Sequence, residues 1–136
     1  MIEQNGSRAS RAASRVLIVD DNADAGETLV ELLTASGFEV RHAADGPSAL
    51  EYIHEFAPHL AVLDIGLPVM DGYTLARQLR ALPDIGRMPL VALSGYSRDT
   101  DVERAQAAGF DRHLTKPVRY AELVAVIQEL LQRKTG

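Results

Sequence analysis

The chain contains no cysteine, which closes off both a disulfide framework and a thiolate metal site. It has no apolar run near the roughly 18 residues that a membrane-spanning helix needs. The opening stretch MIEQNGSRASRAASR has no apolar core either, so it does not read as a secretory signal. Neither membrane nor export is indicated, and a cytoplasmic location is the expectation. Positive charge is not in excess: the net charge is −5, which argues against an electrostatic nucleic-acid surface. Lysine is scarce, since only Lys116 and Lys134 among the 14 basic residues are not arginine. A lysine placed at the end of a strand therefore stands out.

What is present fits one soluble domain. A length of 136 residues allows one proper core and is too short for two. Hydrophobic residues at 46% and charged residues at 24% are ordinary for a globular protein. The Ser, Ala and Arg content of residues 1–14 predicts a disordered tail. A folded domain over 15–133 and a short tail at 134–136 complete the organisation.

Arg15 to Asp20, RVLIVD, is an apolar strand that closes on an acid, and Asp21 and Asn22 are helix-capping residue types. Leu29, Leu32 and Leu33 follow at helical spacing, and the pattern stops at Gly37. Phe38 to His42 alternates apolar with polar, as a half-exposed edge strand does. A second helix is predicted from Asp45-Gly46-Pro47, with proline near the first helical position, and presents Leu50 and Ile53. Leu60 to Leu63 is a short buried strand that delivers Asp64 to its carboxyl end. Gly66, Pro68 and Gly72 then break the pattern into a loop. A third helix, from Asp71 or Gly72, buries Leu75, Ala76 and Leu79. Leu90 to Leu93 is again wholly apolar and ends at Ser94-Gly95. The fourth helix, near Arg98 to Ala108, is weakly hydrophobic, and Gly109 stops it. Phe110 to Leu114 mixes Asp111, Arg112 and His113 with apolar residues, a second edge pattern. After Lys116-Pro117 an amphipathic helix carries Leu123, Val124, Ile127, Leu130 and Leu131, and its last residues are expected to fray.

Five strands alternating with five helices predict an α/β fold, a doubly wound (βα)5 parallel sheet with helices on both faces. The wholly apolar strands one, three and four are central and the mixed strands two and five are edges. Right-handed crossovers then give the order 2-1-3-4-5, the flavodoxin-like arrangement. Ligand chemistry in such a sheet sits beyond the carboxyl ends of the strands, where the order reverses between strands one and three. Asp20 and Asp21 therefore face Asp64 across one crevice.

Taken singly, each of these residues has a plain structural reading. Asp64 could end a strand, Asp20-Asp21 could cap the first helix, and Ser94-Gly95 and Lys116-Pro117 could be turns. Their joint occurrence at the ends of four strands argues for more. Three neighbouring carboxylates repel one another unless a cation lies between them, and an all-oxygen donor set without His or Cys points to Mg²⁺, or to Mn²⁺. A hydroxyl at Ser94 and a lone ammonium at Lys116, acting as a point charge on a phosphate oxygen, complete a phosphoryl site. An aspartyl phosphate is an established covalent intermediate, and Asp64 is the candidate nucleophile.

The motifs VLIVDD, LDIGLPVMDG, ALSGY and LTKP at these places resemble those of the receiver domains of two-component response regulators, over roughly residues 15 to 133. The resemblance implies that Asp64 accepts a phosphoryl group from a histidine kinase or a histidine phosphotransfer protein. It implies that Asp20, Asp21 and Asp64 hold Mg²⁺ with the backbone carbonyl of Gly66, that Lys116 contacts the phosphate, and that Ser94 binds a phosphoryl oxygen in the active state. A cis Lys116-Pro117 bond is implied as well. In such domains the hydroxyl and an aromatic residue of the fifth strand move together and alter the surface of the fourth helix, fifth strand and fifth helix. Here the aromatic position holds His113, a planar ring that is neither Phe nor Tyr. His113 is expected either to rotate with Ser94 or to stand as a partly exposed edge-strand residue. Tyr96 and Gly66 are expected to influence phosphoryl lifetime.

Read this way, the chain is a phosphoacceptor signalling domain rather than an enzyme, with self-phosphotransfer and slow autodephosphorylation as its only chemistry. Three residues after Arg133 leave no room for an output domain, so a stand-alone regulator or a piece of a larger protein is expected. DIGLPVMDGY and ALSGY look more like receivers attached to hybrid sensor kinases than like those of DNA-binding regulators. Its expected partners are the phosphodonor, a downstream protein target and, as a further option, a second copy forming a homodimer. Two alternatives belong to other classes. A pseudo-receiver would keep the fold and act only by binding proteins. A phosphohydrolase working through an aspartyl phosphate would resemble many such enzymes in having an acid two residues after the nucleophile, where this chain has Gly66.

Overall fold

The computed structural model describes residues 13–95 and 99–135. Five strands alternate with five helices: β1 (Arg15–Val19), α1 (Ala23–Ala35), β2 (Glu39–Ala43), α2 (Gly46–Phe56), β3 (Leu60–Asp64), α3 (Gly72–Arg80), β4 (Leu90–Ser94), α4 (Asp99–Ala108), β5 (Arg112–Thr115) and α5 (Tyr120–Thr135). All strands pair in parallel, in the order β2-β1-β3-β4-β5. The wholly buried β3 and β4 are central, and β2 and β5, with alternating or mixed burial, are the edges.

Even the uniformly apolar strands sort their side chains by parity, because successive residues point to opposite faces. Leu17, Val19, Ala61, Leu63, Leu90 and Ala92 pack against α2, α3 and α4. Val16, Ile18, Leu60, Val62, Val91 and Leu93 pack against α1 and α5. The two cores share one rigid sheet, which fixes where its carboxyl ends fall.

Three helix starts carry the expected type of cap, in which a side-chain oxygen accepts an orphan backbone N–H. Asn22 accepts from Ala25, Asp45 from Ser48 and Asp71 from Thr74. The elements also depart from the sequence reading in small ways. β5 starts at Arg112 rather than Phe110, because the Asp111 carboxylate takes the Leu90 N–H at 2.8 Å and Phe110 turns into the core. The last helix continues to Thr135, two residues past the boundary placed at 133. Ser14, assigned to the tail, already accepts a hydrogen bond from Glu39 N–H. The rest of that tail through residue 12, Tyr96, Arg98 and Gly136 lie outside the described residues.

Candidate functional site

β1 and β3 lie side by side with Val19 opposite Leu63, so the residues that follow them meet beyond the sheet. Asp20 is 2% exposed, and its Oδ1 accepts the Asn22 N–H at 2.9 Å. Helix capping falls to Asn22, which leaves neither acid of the Asp20-Asp21 pair in that structural role. Asp21 is exposed at the rim.

Asp64 closes β3 and is 7% exposed. Its Oδ1 accepts the Gly66 N–H at 3.1 Å, and its Oδ2 lies 3.0 Å from the Lys116 Nζ. The Asp64 backbone is fixed from below by α3. A Cβ at Gly72 would stand 2.6 Å from the Asp64 carbonyl oxygen and 2.8 Å from Ile65 Cα, so only glycine lets the helix start this close.

The Lys116 Nζ also lies 3.8 Å from Asp20 Oδ2. Its backbone N–H donates to the Ser94 carbonyl at 2.7 Å, which seats the start of the β5–α5 loop beside the end of β4. The Lys116-Pro117 bond is cis. Ser94 is 4% exposed at the end of β4. Asp20, Asp21, Asp64 and Lys116 thus come together, and Ser94 closes β4 beside them, with its carbonyl bonded to the Lys116 N–H.

One carboxylate oxygen each from Asp20, Asp21 and Asp64 lies within 4.8 Å of the others. Among the described residues one ammonium faces three carboxylates, and like charges this close favour a cation between them. Hard oxygen donors in a small, partly open cluster suit a divalent ion such as Mg²⁺, which keeps positions for water and phosphate oxygens. The residues present fit such an ion.

His113 lies in β5 opposite Ala92, with its side chain on the α4 side. It borders a cavity of about 200 Å³ with Val102, Ala105, Gln106 and Phe110. Its Nε2 is buried with no hydrogen-bond partner among the described residues. On the other side of the sheet a wider groove runs from Asp20 and Lys116 along Leu29 and Leu32 to Tyr120.

Sequence reasoning passed over His42, whose ring reaches the Asp20 backbone. The one signal for it is Gly26, a glycine inside a helical pattern, which needs a reason of its own.

A family model described as the response regulator receiver domain matches residues 16–128. The chain is 42% identical over 123 residues to the transcriptional regulatory protein PrrA of Mycobacterium leprae, covering 90% of this chain and 52% of that protein. It therefore spans about half the length of the curated relatives of that kind. Among solved structures it is similar to the signal receiver domain of a signal transduction histidine kinase from Syntrophus aciditrophicus, with a TM-score of 0.81, 32% identity and coverage of 88% and 91% of the two chains. It is likewise similar to the chemotaxis response regulator CheY4 of Vibrio cholerae, with a TM-score of 0.83, 25% identity and coverage of 88% and 99%.

Proposed function

The chain belongs to the response regulator receiver domain family, and from that premise we propose that Asp64 is its phosphoryl acceptor. The observation that carries this reading is the position of Asp64, within 3.0 Å of the Lys116 ammonium and in a cluster with Asp20 and Asp21. An Asp64 oxygen attacks phosphorus while the bond from phosphorus to the donor breaks, so the donor group leaves and a mixed anhydride forms. The donor is the phosphohistidine of a kinase or a phosphotransfer protein, and the groove beside Asp20 and Lys116 offers such a protein access.

Asp20, Asp21, Asp64 and the Gly66 carbonyl would hold Mg²⁺, which when bound would supply charge neutralisation for the transferring group. Mn²⁺ has the same donor preference. Lys116 pairs with one phosphoryl oxygen, and the Ser94 hydroxyl donates to another. Gly66 offers no general acid two residues after the acceptor, so hydrolysis of the anhydride is slow and the domain stores a signal instead of turning over. Tyr96 belongs with Gly66 in setting that lifetime.

The output is carried by the α4-β5-α5 face. α4 buries little beyond Ala105 and Ala108, and weakly anchored elements are the ones that move. Ser94 and His113 form the switch, the ring of His113 turning in the cavity beneath α4 when the hydroxyl is drawn to the phosphoryl group. A downstream protein, or a second copy in a homodimer, reads that face in the cytoplasm.

Intact mass after incubation with acetyl phosphate tests the reading. A single phosphoryl adduct is expected that requires Mg²⁺, is released by hydroxylamine and is absent from Asp64→Asn. No adduct from any donor, phosphotransfer proteins included, would make the chain a pseudo-receiver.

A further inference from the structure

His42, near the end of β2, sends its ring under the turn between β1 and α1. Its Nε2 lies 2.7 Å from the carbonyl oxygen of Asp20. A carbonyl only accepts, so Nε2 carries the proton and donates. The ring occupies space that α1 leaves open at a single position. A Cβ at Gly26 would stand 2.3 Å from His42 Nε2 and 2.5 Å from its Cε1. Gly26 sits inside α1, buried, with its N–H bonded to the Asn22 carbonyl at 2.9 Å. No turn or left-handed conformation asks for glycine there, and glycine weakens a helix interior. The contact with His42 is what accounts for it.

The surroundings of the ring fix it in turn. The His42 carbonyl accepts from the Tyr52 hydroxyl at 2.9 Å, and the next residue, Ala43, accepts the Asp20 N–H at 3.0 Å. Asp20 is thereby held at its N–H by Ala43, at its carbonyl by His42 and at Oδ1 by the Asn22 N–H. The direction of its other oxygen, and the course of the chain into Asp21, follow from those three restraints.

We propose that His42 is a positioning residue for the acidic pair: its ring sets the backbone at Asp20-Asp21 in the geometry that binds the divalent ion, and Gly26 is present to admit that ring. The inference rests on the metal-dependent reading of the site given above. Partners that orient metal ligands typically govern affinity by 10- to 100-fold.

The test is a MgCl₂ titration of the full chain followed by ¹H–¹⁵N NMR at residues 20, 21 and 64, with urea midpoints measured on the same samples. His42→Leu, which keeps the volume and removes the donor, should weaken Mg²⁺ binding by about tenfold or more. His42→Gln, whose amide N–H has similar reach, should restore most of it. Gly26→Ala should also weaken binding although residue 26 touches no acid. In Gly26→Ala/His42→Leu the loss should not exceed that of His42→Leu alone, since both changes remove one contact. A purely structural role would move the urea midpoint and leave the Mg²⁺ affinity in place.

Wild-type affinity in folded His42→Leu, or losses that simply add in the double variant, would overturn the proposal. If His42→Leu does not fold, Gly26→Ala and His42→Gln decide: wild-type affinity in Gly26→Ala, or no rescue by Gln, overturns it. No Mg²⁺ response at residues 20, 21 and 64 of the wild type would instead sink the metal reading, and the positioning role with it.

Discussion

At the amino edge of the sheet the Arg80 guanidinium faces carbonyls and a carboxylate that it satisfies, whereas at the carboxyl edge Lys116 faces more negative charge than it can neutralise. Arg80 donates through Nε and Nη2 to the Gly109 carbonyl at 2.9 and 2.6 Å, through Nη1 to the carbonyls of Gly86 and Met88, and through Nη2 to Asp111. All the donors of its planar fork have partners, and they tie the end of α3 to the end of α4 and to the starts of β4 and β5. Among the described residues the Lys116 ammonium pairs with Asp64 and Asp20, with Asp21 in the same acidic cluster. A closed set of partners makes a structural clasp, and a cluster with more carboxylates than cations has the charge of a cation-binding site.

The sharpest way to break that comparison is to remove the clasp. Arg80→Met leaves the Gly86, Met88 and Gly109 carbonyls without their Arg80 donors and the Asp111 carboxylate with the Leu90 N–H but no guanidinium, and stranded groups of this kind cost about 1–3 kcal/mol each when water cannot replace the partner. Arg80 is partly exposed, so a total loss of about 2–4 kcal/mol is expected, read from the urea midpoint. The yield of phosphoryl adduct per folded molecule should stay as in the wild type.

Asp64→Asn should do the reverse. It is expected to abolish the adduct, yet it removes one of three mutually repelling carboxylates and gives up an ion pair with a lysine whose side chain is 37% exposed, a pairing of small net value. Stability is expected to stay within about 1 kcal/mol of the wild type, on the stabilising side. A urea midpoint lowered as far as that of Arg80→Met would show the carboxyl edge to be a structural clasp as well.

The two edges also differ in how far the sequence disclosed them. Asp20, Asp64 and Ser94 were legible because each closes a short apolar run, and Lys116 because lysine is scarce and this one stands just past the mixed fifth strand; the order of the strands brings those ends to one edge. The clasp was not, since Arg80 looks like any arginine in the last turn of a helix and its partners are backbone carbonyls as far away as Gly109. Backbone acceptors leave no mark in residue type. His42 was hidden for the same reason, its partner being the Asp20 carbonyl. The acids of β1 could equally have been caps, and only the placement of Asn22 on Ala25 N–H assigns that duty elsewhere. The late start of β5 was equally out of view, because it depends on the Asp111 side chain taking the Leu90 N–H across the sheet.

Acid should separate the two edges by smaller steps. At the amino edge His59 Nδ1 accepts the Arg15 N–H at 2.9 Å. Burial first, and then the Arg15 charge, hold His59 below the ordinary histidine range. Between that lowered value and about 6.5 the unfolded chain binds more protons than the folded one, so this stabilisation is full above about pH 6.5 and is lost as pH falls through that window. At the carboxyl edge Asp45 and Asp71 cap α2 and α3, and the hydrogen bonds from the Ser48 and Thr74 backbone N–H groups are the main cause that holds both below the usual carboxylate range. Their contribution is full above about pH 3.9 and is lost only below it. The groups are exposed or half-buried, so each effect is small, but the order is set by chemistry. In hydrogen exchange followed from pH 7 towards pH 3, after correction for intrinsic rates, the Arg15 amide should lose protection first and the Ser48 and Thr74 amides later. Simultaneous loss at all three would mean that the edges unfold as one unit, and the distinction between clasp and site would then be one of chemistry alone and not of stability.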